Sequence, residues 1–450
     1  MKRILIVLAA IFSVHFADAQ VAKTPEAAKK AVVKAEAAAA NPKSAVKTAT
    51  WLKLANAYMD AYNAPAGAAW LGATKQDLEI TMAGETPLSV ESVILAGEPY
   101  TKEVYDAKNL YFNQAGQLAL IYITKPVLED PLEGARAAYA KAAELDVKGA
   151  KTEEISKALA NVAKKYLDDG MNEYLFENYE VASVLFGKAA AASETAPYSK
   201  VDTTALYNAG FTAWMVKDYQ RAKEYFEKCI AVGYYYDDGE VFAKLADIHT
   251  NMDNKEAARD VLEDGFTKYP QSQSILIGLI NYYLTNNENP NRLFELIGLA
   301  KKNEPNNASL YYVEGNIYNE LRKADPANAE EYIRKAIAAY DDCSALNPSY
   351  EFGHIGKGIL YYNLAIDLQE QAQNELDDAK WAELNEKFAE ALKAAREPFE
   401  SAYSITKDDA LKVNIAEYLK NIYYRFSSDS DEYMEGYKKY DEIVKTGKPL

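Results

Sequence analysis

Cysteine and histidine are scarce in this chain. Its 450 residues hold two cysteines, Cys229 and Cys343, and three histidines. Two thiols cannot build the disulfide framework of a small secreted scaffold. His15 falls in an N-terminal apolar run, which leaves His249 and His354. A His-rich metal centre and a nucleophile–histidine–carboxylate triad are thereby disfavoured. Positive charge is also in deficit, with 50 Lys and Arg against 67 Asp and Glu, a net charge of −17. That balance argues against nucleic acid and against anionic membrane surfaces as partners. Long apolar runs are missing beyond the N-terminus, so no integral membrane span is expected.

Motifs of catalysis are missing as well. No Gly-x-Ser-x-Gly, no His-Glu-x-x-His and no recognisable carboxylate pair occurs. Gly353 to Gly358 reads GHIGKG but has neither P-loop spacing nor a preceding strand, and its glycines suit close helix packing. Asp429-Ser430-Asp431 begins like a calcium loop, without the later Gly and Glu that such a loop needs. The expectation is a protein that is not an enzyme and uses no cofactor and no metal. Cys229 and Cys343 are expected to be buried free thiols that act as small hydrophobes.

The N-terminus reads as a leader. Lys2 and Arg3 precede the apolar stretch Ile4 to Phe16, and Ala17-Asp18-Ala19 offers small residues before Gln20. The stretch is too short to span a bilayer, so residues 1–19 are expected to be a cleaved signal peptide and the chain to be exported. No Cys follows the cleavage site, which disfavours a lipid anchor. Residues 20–47 are rich in Ala and Lys. Thr24 and Pro25 start a helix there, with Thr as N-cap and Pro in the first turn. It ends at Asn41-Pro42 and serves as a cap or a tether.

The most regular stretch runs from Thr203 to Tyr234. Leu206, Gly210 and Ala213 fall three and four apart and share a helix face. Lys217-Asp218 breaks the pattern, and Tyr219, Ala222, Phe226 and Cys229 form a second face. Two short amphipathic helices with a tight turn make an antiparallel pair. Gly210 and Ala222 are small where the helices approach, and Tyr219 and Phe226 are large beside them. This alternation of large and small residues resembles the tetratricopeptide repeat (TPR), with a period of about 34 residues. Similar hairpins follow from Tyr166-Gly170 with Phe186, Phe242-Ala246 with Leu262, Ile277-Leu284 with Ala300, Gly315 with Tyr340, and Gly358 with Phe399. Pro270 and Pro305 stand about one period apart. The resemblance implies an all-α fold, a TPR-type α-solenoid or superhelix of antiparallel helix pairs.

The first repeat is interrupted. Trp51, Leu54, Ala55 and Tyr58 fit a first helix, but the second helix comes only with Ala135, Tyr139 and Ala142. Residues of about 63–127 form an insertion. Its end, KNLYFN-QAGQ-LALIYIT, reads as a hairpin over 109–124, with 100–105 and 90–95 as further strands. The expected organisation is a first repeat over 48–146 with this small β-containing insertion, a repeat array over 147–407, and C-terminal helices or a cap over 408–450. Within the array, 322–328 and 368–386 are read as long interruptions between helices, and Pro398 as a kink.

The resemblance also implies a function. The family's usual role is to bind peptides or proteins in a concave groove lined by the first helix of each pair. Carried onto this chain, the lining is Leu167, Met171 and Tyr174, then Tyr207, Phe211 and Trp214, then Ala243 and Asp247. Tyr282, Tyr312, Asn316, Ile355, Ile359 and Tyr362 complete it. Some TPR proteins grip an acidic C-terminus with Lys and Asn at these positions, and this chain has no Lys there. The lining is an aromatic trough, consistent with 35 tyrosines. The expectation is a periplasmic or outer-membrane-associated scaffold that binds a protein partner of the cell envelope. The alternative is a glycan- or nutrient-binding protein of an outer-membrane uptake system, whose Tyr and Trp rings stack on sugars.

Overall fold

The computed structural model describes residues 23–82, 84–286 and 289–449. The leader read at residues 1–19 lies outside them. Nineteen α-helices and one four-stranded sheet occur among the described residues. The chain divides into two compact units, Met1–Tyr236 with Asp247–Lys255, and Asp237–Ala246 with Glu256–Leu450. No helix among the described residues is long and apolar enough to cross a membrane.

The first unit opens with α1 (Pro25–Ala40), capped by the Thr24 side chain on the Ala27 amide. Ala28 and Val32 of α1 pack against Ala57 and Ala61 of α3 (Thr48–Asn63). A four-residue α2 (Pro42–Ala45) separates them. The helix therefore packs along α3. Its partner in sequence, α5 (Pro131–Leu145), packs on α3 across the whole insertion. Gly134 permits that approach, since a Cβ there would lie 2.8 Å from the Tyr58 ring. The Tyr139 hydroxyl donates to Asn56 Oδ1 at 2.7 Å.

Between α3 and α5 lie α4 (Lys75–Thr81) and an antiparallel meander. The strands are β1 (Ser89–Leu95), β2 (Glu98–Val104), β3 (Lys108–Phe112) and β4 (Leu118–Ile123). The expected hairpin is β3–β4, and the two further strands are β2 and β1. Helix α4 is an addition to the sequence expectation, although Thr74-x-x-Asp77 is a readable helix-start signature. It is held by a capping box between Thr74 and Asp77, and it lays Leu78 over Leu110, Phe112 and Leu118. Lys108 is buried within this insertion. Its ammonium meets the Glu85 carboxylate at 2.8 Å and the Ala66 carbonyl at 3.0 Å, so the charge is paired and hydrogen-bonded.

The remaining helices of this unit are α6 (Thr152–Leu175), α7 (Tyr179–Glu194), α8 (Thr203–Met215) and α9 (Tyr219–Ala231). Helix α10 (Glu240–Asn251) contributes its last residues here and its first to the second unit. One device recurs. A Cβ on Gly170 would come within 2.7 Å of the Phe186 ring, and one on Gly210 within 3.2 Å of the Phe226 ring. The small residue of the first helix and the ring of the second fit as hole and knob. The turns recur too. Asn178, Asp218 and Asn254 each donate a backbone N–H five residues back, to the carbonyls of Glu173, Ala213 and His249, and the preceding Glu177, Lys217 and Asp253 are left-handed. This is the Schellman ending, which most helices complete with glycine.

The second unit continues with α11 (Lys255–Lys268), α12 (Gln273–Asn286), α13 (Pro290–Asn303), α14 (Ala308–Ala324), α15 (Ala329–Leu346), α16 (Phe352–Asn374) and α17 (Asp378–Ile405). Two readings are corrected here. The stretch 368–386 is helical apart from residues 375–377, because its Gln, Glu, Ala and Leu are good helix formers. Likewise α14 runs on to Ala324 before a 3₁₀ turn at Pro326–Asn328. Pro398 lies inside α17, which continues through it to Ile405. The hole-and-knob pairing persists, with Gly315 against Tyr340 and Gly358 against Phe399. Helices α18 (Asp409–Arg425) and α19 (Asp431–Thr446) end the chain, burying Ile415, Leu419, Ile422, Tyr440 and Ile443 with Phe399.

Candidate binding surface

The first unit carries an aromatic row. Tyr207 and Phe211 are one turn apart on α8 and stack with centroids 5.9 Å apart and planes 12° apart. Phe211 meets Trp214 at 5.9 Å. The Trp214 indole N–H donates to Asp247 Oδ2 at 2.6 Å, which joins α8 to α10. At the other end Tyr236 stacks on Tyr207 at 4.1 Å and 20°. Tyr234 stands edge-on to Tyr207 at 6.3 Å, and burial pushes its hydroxyl pKa up. Phe211 and Trp214 are half-buried and Asp247 is exposed. Tyr207 is only 7% exposed, because Phe226 and Tyr236 close over it. It forms the floor of the row, while Phe211, Trp214 and Asp247 form its accessible part.

The other expected lining residues sit elsewhere. Leu167, Met171 and Tyr174 are half-buried on α6 against Ala182, Phe186 and Ala209. Tyr174 also meets Tyr179 at 5.4 Å. In the second unit Tyr282 is buried edge-on to Tyr283. Tyr312 packs on Tyr340 and Phe352, and Asn316 accepts from the Tyr340 hydroxyl at 2.8 Å. Tyr362 stands edge-on to Tyr418 and accepts a hydrogen bond from Asn421. Apart from Tyr282 and Tyr283, which are neighbours on α12, these contacts join helices within one unit. Tyr207, Phe211, Trp214 and Asp247 are brought into one continuous arrangement.

Two groups were not foreseen. Tyr234 and Tyr236 belong to the loop YYYDDGE, residues 234–240, between α9 and the body of α10. Three adjacent tyrosines between helices were the available signal. Phe176, at the end of α6, receives Tyr111 at 5.5 Å and Tyr122 at 4.9 Å, and Asn172 donates to the Ile121 carbonyl. These contacts dock β3 and β4 on the second helix pair. A titratable cluster lies where α3 meets α6. The Tyr62 hydroxyl donates to Asp169 Oδ1 at 2.9 Å, and Lys165 lies 4.8 Å over the Tyr62 ring. Burial raises the Asp169 carboxyl to about 6, against the opposing pull of Tyr62 and Lys165. Burial likewise lowers Lys165 and raises Tyr62.

Cys229 and Cys343 are free and buried, and burial pushes their thiols up to about 12 and about 11. They are poor nucleophiles in that state. Among the described residues no group of His, Cys, Asp and Glu is arranged to hold a metal ion.

Comparison with known proteins places residues 203–232 within the tetratricopeptide repeat family profile. No curated protein matches the chain. Similar solved structures include YrrB, described as a TPR protein with an unusual peptide-binding site. It is 19% identical, with 49% of this chain and 97% of that one covered and a TM-score of 0.33. A TPR repeats protein from Bacteroides fragilis is 17% identical, with 58% and 97% covered and a TM-score of 0.28. MamA from Desulfovibrio magneticus is 19% identical, with 40% and 96% covered and a TM-score of 0.32.

Proposed function

We propose that this chain, whose residues 203–232 match the tetratricopeptide repeat, is an exported scaffold of that kind, and that its aromatic row holds an extended segment of a cell-envelope protein. The observation that carries the reading is the run Tyr236–Tyr207–Phe211–Trp214, ending at exposed Asp247. Rings already stacked lose little freedom when a ligand covers them. Half-buried aromatic anchors on a rigid helix face are what binding hot spots are made of. The indole–carboxylate bond fixes the Trp214 plane and leaves Asp247 at the edge, where a donor or a cation of the segment would meet it. The role is binding, and no reaction is assigned to these residues.

A photo-crosslinking residue at Asn251, exposed one turn beyond Asp247 on α10, tests this in cells. A second one at Val147, far along the chain, serves as control. The expected result is a discrete protein adduct from Asn251 alone, lost when Phe211→Ala and Trp214→Ala are added. An adduct insensitive to those changes, or none, overturns the reading. Tryptophan emission that responds to oligosaccharides in the wild type but not in Trp214→Phe would favour a glycan ligand instead.

A further inference from the structure

The four-stranded sheet has two edges, and they are treated differently. On the β4 side the chain closes the edge itself. Gly72 donates to the Leu118 carbonyl at 2.7 Å, Leu118 donates to Ala73 at 2.8 Å, and Asn172 takes the Ile121 carbonyl. On the β1 side no strand follows in the sheet order among the described residues. Edge strands of soluble proteins are ordinarily blunted by lysine, proline or a bulge. β1 reads Ser-Val-Glu-Ser-Val-Ile-Leu, with no lysine and no proline, and its seven-residue pairing with β2 runs without a register shift. Its only charge, Glu91, is drawn sideways to Lys102 at 3.0 Å.

The side chains of this edge also point to an occupant. Val90 lies opposite Glu103, which lies opposite Leu110, and Ser92 lies opposite Thr101, which lies opposite Phe112. Val90, Ser92 and Ile94 therefore share the face that α4 covers over β3 and β4. Beyond the reach of α4 that face is bare, with Val90 57% and Ile94 74% exposed. A further strand laid along β1 would cover both from the side. On the opposite face it would set a residue beside Glu91, whose side chain stays 46% exposed despite Lys102.

We propose that β1 is a strand-addition site that accepts an extended segment of a protein partner, with β-branched residues at alternate positions and a basic residue opposite Glu91. Main-chain hydrogen bonds would supply the attachment and the alternate side chains the selectivity. A second copy of this chain is disfavoured. Two chains of net charge −17 repel. An antiparallel β1 pair centred on Ser92 would also set each Glu91 against an apolar Val93. The site is independent of the aromatic row.

Its outward N–H groups identify the variant to make. The two-residue turn Ala96-Gly97 leaves Leu95 and Glu98 as a hydrogen-bonded pair, so Ser92 turns its N–H away from β2. Ser92→Pro removes that donor and leaves the β1–β2 ladder whole. The probe is a fluorescein-labelled peptide, Thr-Val-Tyr-Thr-Lys-Val-Lys, titrated into the full chain. Binding should slow amide hydrogen exchange across β1, and Ser92→Pro should weaken it by about tenfold or more. Replacing the probe's two lysines by glutamate should weaken it comparably, and Trp214→Ala should leave it unchanged. If Ser92→Pro loses β2–β3 exchange protection, Val90→Lys with Ile94→Lys takes its place with the same expected loss. No binding to the wild type, or equal binding to a folded edge variant, overturns the proposal. So does a wild-type dimer in sedimentation that Ser92→Pro dissociates.

Discussion

Tyr236 lies flat on Tyr207, with ring centroids 4.1 Å apart. The pair decides how the aromatic row is to be tested. Tyr207 has its other side on Phe226 and is almost wholly buried, so Tyr207→Ala opens a cavity in the α8–α9 core. Such a truncation costs about 3–5 kcal/mol. Tyr236 comes from a loop and is half-buried, and Tyr236→Ala should cost less, roughly 1–2 kcal/mol. Phe211→Ala and Trp214→Ala keep the floor intact and are the changes that report on binding. Chemical denaturation of the four variants checks the order, with Tyr207→Ala the least stable.

The hole-and-knob pairs differ in depth. A Cβ on Gly210 would stand 3.2 Å from the Phe226 ring, but one on Gly315 would stand 2.5 Å from Tyr340. Tyr340 cannot retreat, because a Cβ on Gly356 would already be 2.3 Å from the same ring. Alanine gains about 1 kcal/mol over glycine inside a helix. At Gly210 that gain offsets a small shift of Phe226, and Gly210→Ala should change stability by less than about 1 kcal/mol. At Gly315 overpacking dominates, and Gly315→Ala should destabilise by about 1–3 kcal/mol. Urea midpoints of the two variants measure the contrast. Gly210→Leu should behave like Gly315→Ala or worse.

The helix pairs were legible because their signal is periodic and local. Gly210 with Phe226, Gly315 with Tyr340 and the strand content of 109–124 are all visible as residue types at fixed spacing. The interruptions were misread where composition alone was used. An acidic, amide-rich stretch such as 368–386 looks like a loop, but its residues are ordinary formers of an exposed helix. The surface was partly legible. Face periodicity placed Phe211 and Trp214 on one side of α8, yet nothing in the spacing could show that Tyr236 folds back from a loop to cover Tyr207. Burial of a ring depends on what closes over it, and that contact is non-local in sequence.

Lys217 occupies the left-handed position that ends α8, with φ 62°. Such a conformation costs a side-chain-bearing residue about 1 kcal/mol, and glycine adopts it freely. The side chain at 217 is exposed. Lys217→Gly should therefore raise stability, by up to about 1 kcal/mol after allowing for the greater freedom of glycine in the unfolded chain. Glu177 and Asp253 hold the equivalent place and should respond alike. A lowered melting temperature in all three variants would show that these side chains contribute more than their backbone strain costs.

Asp169 gives the first unit a pH dependence of unusual sign. Its carboxyl titrates near 6 in the folded chain, raised by burial from an ordinary value of 3.8. Between those two values the folded state holds a proton that the unfolded state has released. Stability from this group therefore falls as pH rises from about 4 to about 6, and the penalty is complete above that window. A carboxylate lowered by an ion pair would behave in the opposite way. Tyr62 donates to Asp169 at one oxygen, and an amide at 169 could accept the same bond without ever ionising. Asp169→Asn should consequently be as stable as the wild type or more so at pH 7, and the advantage should shrink toward pH 4. Melting curves of both proteins across that range, with Tyr62→Phe to remove the bond alone, separate burial from hydrogen bonding. If Asp169→Asn is less stable at pH 7 and the gap closes on acidification, the charged form is favoured in the fold and the assignment of a raised carboxyl fails.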